Sequence, residues 1–440
     1  MAAARPFDQS AWVGRLSKTK DRLANLPTVA NALVIFANDP AVKGLLAYNT
    51  FAGHYLLTRE PPSEEVDGPP LPGPYPREWR TGDAIFIQAY FQRMWSSKFS
   101  RSTVEDAMLA EASIRCFHPV CDWLDTLVWD GKPRLDNWLV NAFDCENTQL
   151  HRAIGAKFLI AAVRRVKRPG FKFDYMMVLE GFQGIGKSTA VQVLFGEAWF
   201  SDHVPPDLSS KDAAQALLGI WCLEFAEIEH LIRAEVETIK AFLSRSVDRY
   251  RPPYGKSYVE HPRQVVMVGT TNASDYLRDT SGNRRIWPVA CKSADPGWVE
   301  VNRDQLWAEA VARESAGEPI WLNDEGLETT AKVAQDARLS VDVWHDAVTQ
   351  YLGGKDKVKS ADILRDALGV PTERLTRSLE MRVANILRTL KWENKLIKRN
   401  RVVARWWTPP KAQTAEAKVA TAEGEEGEVA TPEDDEATIF

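Results

Sequence analysis

Apolar residues recur along this chain at two spacings, and the change from one to the other divides it. Residues Val29 to Phe36 and Val42 to Leu57 carry apolar positions at helical spacing, followed by a loop rich in proline and acid, PPSEEVDGPPLPGPYP. Helical periodicity returns in DAIFIQAYFQRMW and STVEDAMLAEASI, where Ser102 or Thr103 is placed to cap the second helix. LHRAIGAKFLIAAVRRVKRPG then predicts a long helix that ends in a basic cluster and a Pro-Gly stop. From there the period shortens. YMMVLE, WCLEFAE and QVVMVGTTN read as strands, with a Gly-rich turn and the helix STAVQVLFG after the first, and this alternation predicts a parallel sheet. Beyond Leu322 come helices over Leu327 to Leu352, then ADILRDAL, SLEMRVANILRTLKW and a β-like pair, KLIKRNRVVARWW. Two helices followed by a basic hairpin look like a winged helix-turn-helix. No repeat of solenoid period is present.

These elements give five regions: a helical N-terminal region with its Pro-rich linker (1–76), a small helical domain (77–150), an α/β core (151–325), a helical and winged-helix-like module (326–410) and a tail (411–440). The tail has too few large apolar residues to bury a core and is expected to be disordered.

The 440 residues, 45% hydrophobic and 10% aromatic, suffice for more than one core. No apolar stretch reaches the roughly 18–20 residues that a membrane helix needs, and the amino terminus lacks a long apolar signal region, so a cytoplasmic protein is expected. Five cysteines are too sparse and odd in number for a disulfide framework. Cys116 and Cys121, with His118 between them (CFHPVC) and Cys145 as a possible fourth ligand, fit no usual zinc spacing, and the cysteines are read as core residues. The net charge of -5 hides an uneven distribution, because the tail alone has nine acidic residues against two lysines. Between Lys355 and Thr408 there are 14 Lys or Arg and six Asp or Glu, a balance suited to a polyanion.

The chemistry begins at GFQGIGKS, Gly181 to Ser188, which satisfies the P-loop pattern and lies between an expected strand and an expected helix. Gly181, Gly184 and Gly186 let the backbone approach phosphate closely, with Ile185 and Thr189 completing the run. Lys187 is the candidate for the β- and γ-phosphates of ATP, and Ser188 for Mg2+. Further on, GIWCLEFAEIE is an apolar strand ending in acid. Glu227, at its end, is the first choice for the catalytic and metal-associated carboxylate, with Glu224 second and Glu229 third. QVVMVGTTN closes on Thr270, Thr271 and Asn272; an amide at that strand end can orient water, although an Asn there is also an ordinary turn signal. Arg284 and Arg285 follow a Gly-Asn turn and precede IWPV, so one of them is a candidate arginine finger.

With these motifs in order, the run IKAFLSRSVDRYRPPYGKSYVEHPRQVVMVGTTNASDYLRDTSGNRRIWPV resembles the virulence-associated protein E family of phage and mobile-element ATPases. The likeness covers about Phe117 to Leu322 and starts at FHPVCDWLDTLVWDGKPRLDNW. That family is similar to superfamily 3 helicases, so the resemblance implies an AAA+ type P-loop core, Glu227 as the metal-associated acid, Asn272 as the sensor and an arginine of Asn283-Arg284-Arg285 as the finger. DRYRPPYGK resembles the superfamily's DNA-contacting hairpin, in which Arg249, Arg251, Tyr254 and Lys256 would meet single-stranded DNA; a plain basic loop is the alternative. Lys395, Lys398, Arg399 and Arg401 of the C-terminal hairpin are the candidates for duplex DNA.

The expectation is therefore an ATP-hydrolysing DNA helicase or translocase acting in phage or mobile-element replication. It would assemble as a homo-oligomer, a hexameric ring with single-stranded DNA in the pore, and work beside a primase or other replication proteins. The first 116 residues carry no recognisable primase motif. An ATP-dependent DNA-binding switch or replication initiator without unwinding activity is the rival.

Overall fold

The computed structural model describes residues 10–63, 73–228, 238–251, 258–277, 283–339, 342–399 and 402–410. The chain divides into two compact units, one of residues 1–228, 237–272 and 286–330 and the other of 229–236, 273–285 and 331–440.

The first unit opens with α1 (Ser10–Val13), α2 (Val29–Asn38), β1 (Leu46–Asn49), β2 (His54–Leu57), β3 (Arg77–Glu78), α3 (Thr81–Met94), α4 (Arg101–Ile114) and β4 (Cys116–Phe117). The strands form a sheet in the order β3-β2-β1-β4. The helical patch expected over Val42 to Leu57 is thus a hairpin, with Tyr48 opposite Tyr55. Its reversal is local in origin: the Asn49 side chain accepts the N–H groups of Phe51 and Ala52, and Gly53 takes a positive φ of 68°. The cap of α4 is Ser100, ahead of the expected Ser102 or Thr103, accepting from the Thr103 N–H. One apolar cluster joins Trp12, Phe36, Leu57, Phe91 and Ala112, so buried side chains from both sides of the expected boundary at residue 76 share a core.

The same unit continues through α5 (Pro119–Thr126), α6 (Trp138–Phe143), α7 (Gln149–Lys167), β5 (Met176–Glu180), α8 (Lys187–Phe195), β6 (Phe200–Ser201), α9 (Lys211–Ala216), β7 (Cys222–Phe225), β8 (Val247–Tyr250), β9 (Val259–Pro262), β10 (Val266–Thr271), β11 (Ile286–Ala290) and α10 (Pro296–Ser315). Five of these strands make the expected parallel sheet, in the order β11-β5-β10-β7-β6. β5 and β10 are buried at every position, as strands covered on both faces must be. Aromatic residues fill the layer beside the sheet, with the Trp221 and Trp307 rings 4.2 Å apart and Phe195 edge-on to both.

β8 and β9 pair as a separate antiparallel hairpin, whose root is held by a buried ion pair. Arg263 donates from Nε and NH2 to the two oxygens of Asp248, at 2.6 and 2.9 Å, and its guanidinium lies 4.4 Å over Phe242. Nearby Arg165 is 2% exposed and pushed down to about 10 by burial and by the Arg263 charge. Asp248→Ala leaves buried cations uncompensated, and we expect a loss of roughly 3–5 kcal/mol of stability in denaturant titration. A loss below about 1 kcal/mol would show that water reaches this root.

The second unit carries the end of α11 (Glu325–Asp336), then α12 (His345–Leu352), α13 (Ser360–Asp362) extended by a π turn over Ile363–Ala367, α14 (Arg377–Thr389), β12 (Glu393–Arg399) and β13 (Val402–Thr408). Val358 bridges Trp407 on β13, adding a third extended segment to the β12–β13 pair. Val348, Ile363, Leu364, Val383, Leu387 and Trp407 form its core. Among the described residues no helix is long and apolar enough to cross a membrane.

Candidate nucleotide site

β5 delivers the chain to the carboxyl edge of the sheet, and the next six residues turn it back into α8. At Gly181 a side chain is excluded, because a Cβ would lie 2.5 Å from the Cys291 carbonyl oxygen. Gly186 takes φ 95° immediately before α8 and supplies no side-chain cap, so the first N–H groups of that helix face the loop without a capping partner. They border a cavity of about 320 Å3, lined by Gln183 to Thr189, Ala226, Glu227, Thr270, Thr271 and Asn272.

Lys187 is buried, and its Nζ donates to the carbonyls of Gly181 (2.7 Å) and Phe182 (2.9 Å). Ser188 Oγ donates to Glu224 Oε1 at 2.6 Å, and Thr270 Oγ1 donates to the same oxygen at 2.7 Å. Glu224 is wholly buried on β7, and its Oε2 has no hydrogen-bond partner among the described residues. A carboxylate buried with one oxygen unpartnered carries an unmet demand for positive charge. The adjacent hydroxyl and carboxylate are hard oxygen donors, so the set suits Mg2+.

The expectation placed the metal-associated acid at Glu227, at the strand's end; the hydrogen bond from Ser188 goes to Glu224 instead. β7 stops at Phe225, and Glu224 pairs in register with Val268 of β10. Alternation along β7 separates the directions of Leu223 and Phe225 from that of Glu224, and Glu224 meets Ser188 and Thr270. Glu227 lies two residues past the strand, exposed, with φ 48°, and lines the cavity. Such a conformation is uncommon for a residue with a side chain and concentrates where function constrains the backbone. Glu229 lies outside the described residues.

Asn272 follows β10 directly and lines the same cavity. Thr270 was read from sequence only as part of the strand's end; the available signal was a hydroxyl on a strand beside a strand bearing acid. Cys291 and Cys145 are buried, which pushes both thiols up, Cys145 to about 11, so they stay protonated at neutral pH. His118 caps α5 through Nδ1, and its Nε2 is 2.6 Å from Gln264 Oε1, so both ring nitrogens serve the fold.

The remaining candidates are dispersed. Arg284, exposed, and Arg285, half-buried, sit in a 3-10 turn over Asn283–Arg285 that belongs to the second unit. Arg249 is exposed on β8, 5.5 Å from the Tyr258 ring, and Arg251 is exposed just after that strand. Tyr254 and Lys256 lie outside the described residues. Lys395 is exposed on β12, with Nζ 2.7 Å from Glu393 Oε2. Lys398 and Arg399 belong to β12 by their backbone, their side chains lying outside the described set, as does Arg401.

Residues 124–339 match the virulence-associated protein E-like domain. No curated protein matches. Among solved structures, two of the apo NrS-1 C-terminal region are similar at 12% identity, with TM-scores of 0.42 and 0.43. They align over 84% and 83% of this chain and 97% and 96% of their own. A third, an A-form apo structure of that region, is 14% identical with a TM-score of 0.39, over 65% of this chain and 78% of its own.

Proposed function

We propose, from the match of residues 124–339 to the virulence-associated protein E-like domain, that the chain is a Mg2+-dependent P-loop ATPase with an AAA+ type core that drives DNA unwinding or translocation in phage or mobile-element replication. One observation carries the ATPase reading. The P-loop serine and Thr270 share one oxygen of a buried carboxylate whose other oxygen is unpartnered, beside Lys187 and the start of α8.

In this reading the phosphates of ATP lie against the N–H groups that begin α8, with Gly181 to Gly186 keeping side chains out of their way. Lys187 exchanges the carbonyls of Gly181 and Phe182 for the β- and γ-phosphate oxygens and neutralises them. Ser188 and Glu224 hold Mg2+, with Thr270 fixing the carboxylate. The ion supplies charge neutralisation at the phosphates. Glu227 accepts a proton from the attacking water and Asn272 orients that water. The AAA+ assignment is supported by the sheet order, in which β10 separates the P-loop strand from the strand bearing Glu224.

Arg284 or Arg285 acts as a finger toward a neighbouring subunit, which makes a homo-oligomeric ring, a hexamer, the working form in the cytoplasm. Single-stranded DNA in the pore meets Arg249 and Arg251 at the end of β8, and Tyr254 and Lys256, which follow them in the sequence. Duplex DNA meets Lys395, Lys398, Arg399 and Arg401 at the winged-helix-like unit, and a primase is a candidate partner. The rival, an ATP-dependent switch or initiator that assembles on DNA without unwinding, is favoured by the second unit, whose elements run helix, strand, helix, helix and hairpin like a duplex-binding module.

Strand displacement on forked duplexes separates the two: unwinding that needs ATP and is lost in Arg251→Ala/Lys256→Ala supports the motor, and ATP-dependent binding with no displaced strand supports the switch. The ring has its own test. Subunits lacking the finger, mixed with subunits lacking Lys187, should recover part of the ATPase activity; demonstrably mixed rings with none would place the finger within its own subunit.

A further inference from the structure

The second unit presents one helix face that its own core does not use. α14 buries Val383, Ala384, Ile386 and Leu387 and turns Arg377, Met381, Asn385 and Arg388 outward, four residues at helical spacing. Thr376 caps the helix by accepting from the Leu379 N–H, so its start is defined where Arg377 begins the exposed stripe. From Arg374 to Lys391 the chain has five Lys or Arg and a single acid, Glu380.

The basic residues are not equivalent. Arg382 is committed within the unit: it donates to both oxygens of Asp342, at 2.7 and 2.9 Å, and lies 3.9 Å over the Trp344 ring. Arg388 is exposed with its guanidinium 5.7 Å from the Trp407 ring, and one of its nitrogens donates to Asn385 Oδ1 at 2.6 Å, a bond that contact with a base edge exchanges. An amide and a guanidinium thus stand together on the outward face, with Met381, 50% exposed, one turn earlier. These groups match the base edges of a duplex. An Asn amide pairs in two places with adenine, a guanidinium with guanine, and an apolar side chain meets the thymine methyl.

Resting on the duplex-binding reading above, the geometry points to α14 as a base-reading helix: Asn385 and Arg388 contact base edges in the major groove of B-form DNA, Met381 packs beside them, and the β12–β13 hairpin holds phosphate. Binding at this unit is therefore sequence-selective. The occupant is DNA rather than RNA, because the A-form major groove is too deep and narrow to admit a helix. Arg382 is assigned to the unit's own packing rather than to the bases, because Nε and NH2 hold Asp342 and its guanidinium lies over Trp344.

The test is selection by the full chain from a randomised duplex DNA pool, followed by binding of the enriched sequence, a scrambled duplex and the matching RNA duplex. An enriched motif is expected. Asn385→Ala/Arg388→Ala should weaken binding of that motif by roughly ten- to a hundred-fold while changing scrambled-duplex binding by less than about threefold. Lys395→Ala should weaken both duplexes equally and reduce the salt slope by about one. Both positions in the double variant are exposed, and an unchanged thermal melt establishes that it folds. Duplex binding without an enriched motif, equal loss on motif and scrambled DNA in the double variant, or equal affinity for RNA duplex overturns the base-reading role and leaves duplex binding standing. A wild-type chain that binds no duplex overturns both.

Discussion

Lys187→Ala should lower ATP turnover by roughly 10²–10³-fold or more, the cost of removing a charge aimed at developing negative charge in a site whose catalysis is mainly electrostatic. The ammonium is buried and held by two carbonyls of its own loop. Its loss should leave the loop's backbone in place, because the turn is set by Gly181 and Gly186 rather than by the lysine side chain. Steady-state hydrolysis and a thermal melt of purified variant check this together. A folded variant that turns over ATP at the wild-type rate would remove the nucleotide assignment.

The two glutamates should fail in different ways. In Glu224→Gln the hydroxyls of Ser188 and Thr270 keep an acceptor, but the buried charge that balances a divalent cation is gone. We expect the Mg2+ concentration for half-maximal ATPase to rise at least tenfold, with turnover depressed even at saturation. Glu227→Gln should leave nucleotide and Mg2+ binding near wild type and lower turnover by roughly 10²–10⁴-fold, the usual weight of a general base. Titrating Mg2+ against hydrolysis in both variants, with nucleotide binding followed separately, reads the division. If the raised Mg2+ requirement appears in Glu227→Gln and not in Glu224→Gln, the roles are exchanged.

The glycine-rich turn between β5 and α8 was legible because its signal is local. Glycines where the backbone must turn sharply, a lysine and a hydroxyl at the first helical positions, and an apolar strand just before them all lie within about a dozen residues of chain. The parallel sheet was legible for a similar reason, since strands buried on both faces are continuous apolar runs. The hairpin over Leu46–Leu57 was not, because two short strands and a helix can share one apolar spacing, and the Asn49 turn that separates them spans only a few residues.

By itself, the sequence determined the alternation of strand and helix, the glycine-rich turn before α8 and the acid-bearing strand, since each depends on side chains next to one another in the chain. It also located the basic C-terminal segment. Only the tertiary structure decided which glutamate lies against Ser188, because that contact joins residues 36 positions apart, on α8 and β7. The strand's alternation turns Glu224 toward Ser188, while its end carries Glu227 on to an exposed turn. The same holds for the arginines of α14. Sequence counts them alike, and the fold separates Arg382, bound to Asp342, from exposed Arg388, which bonds Asn385 of its own helix, because packing selects which side of a helix is covered.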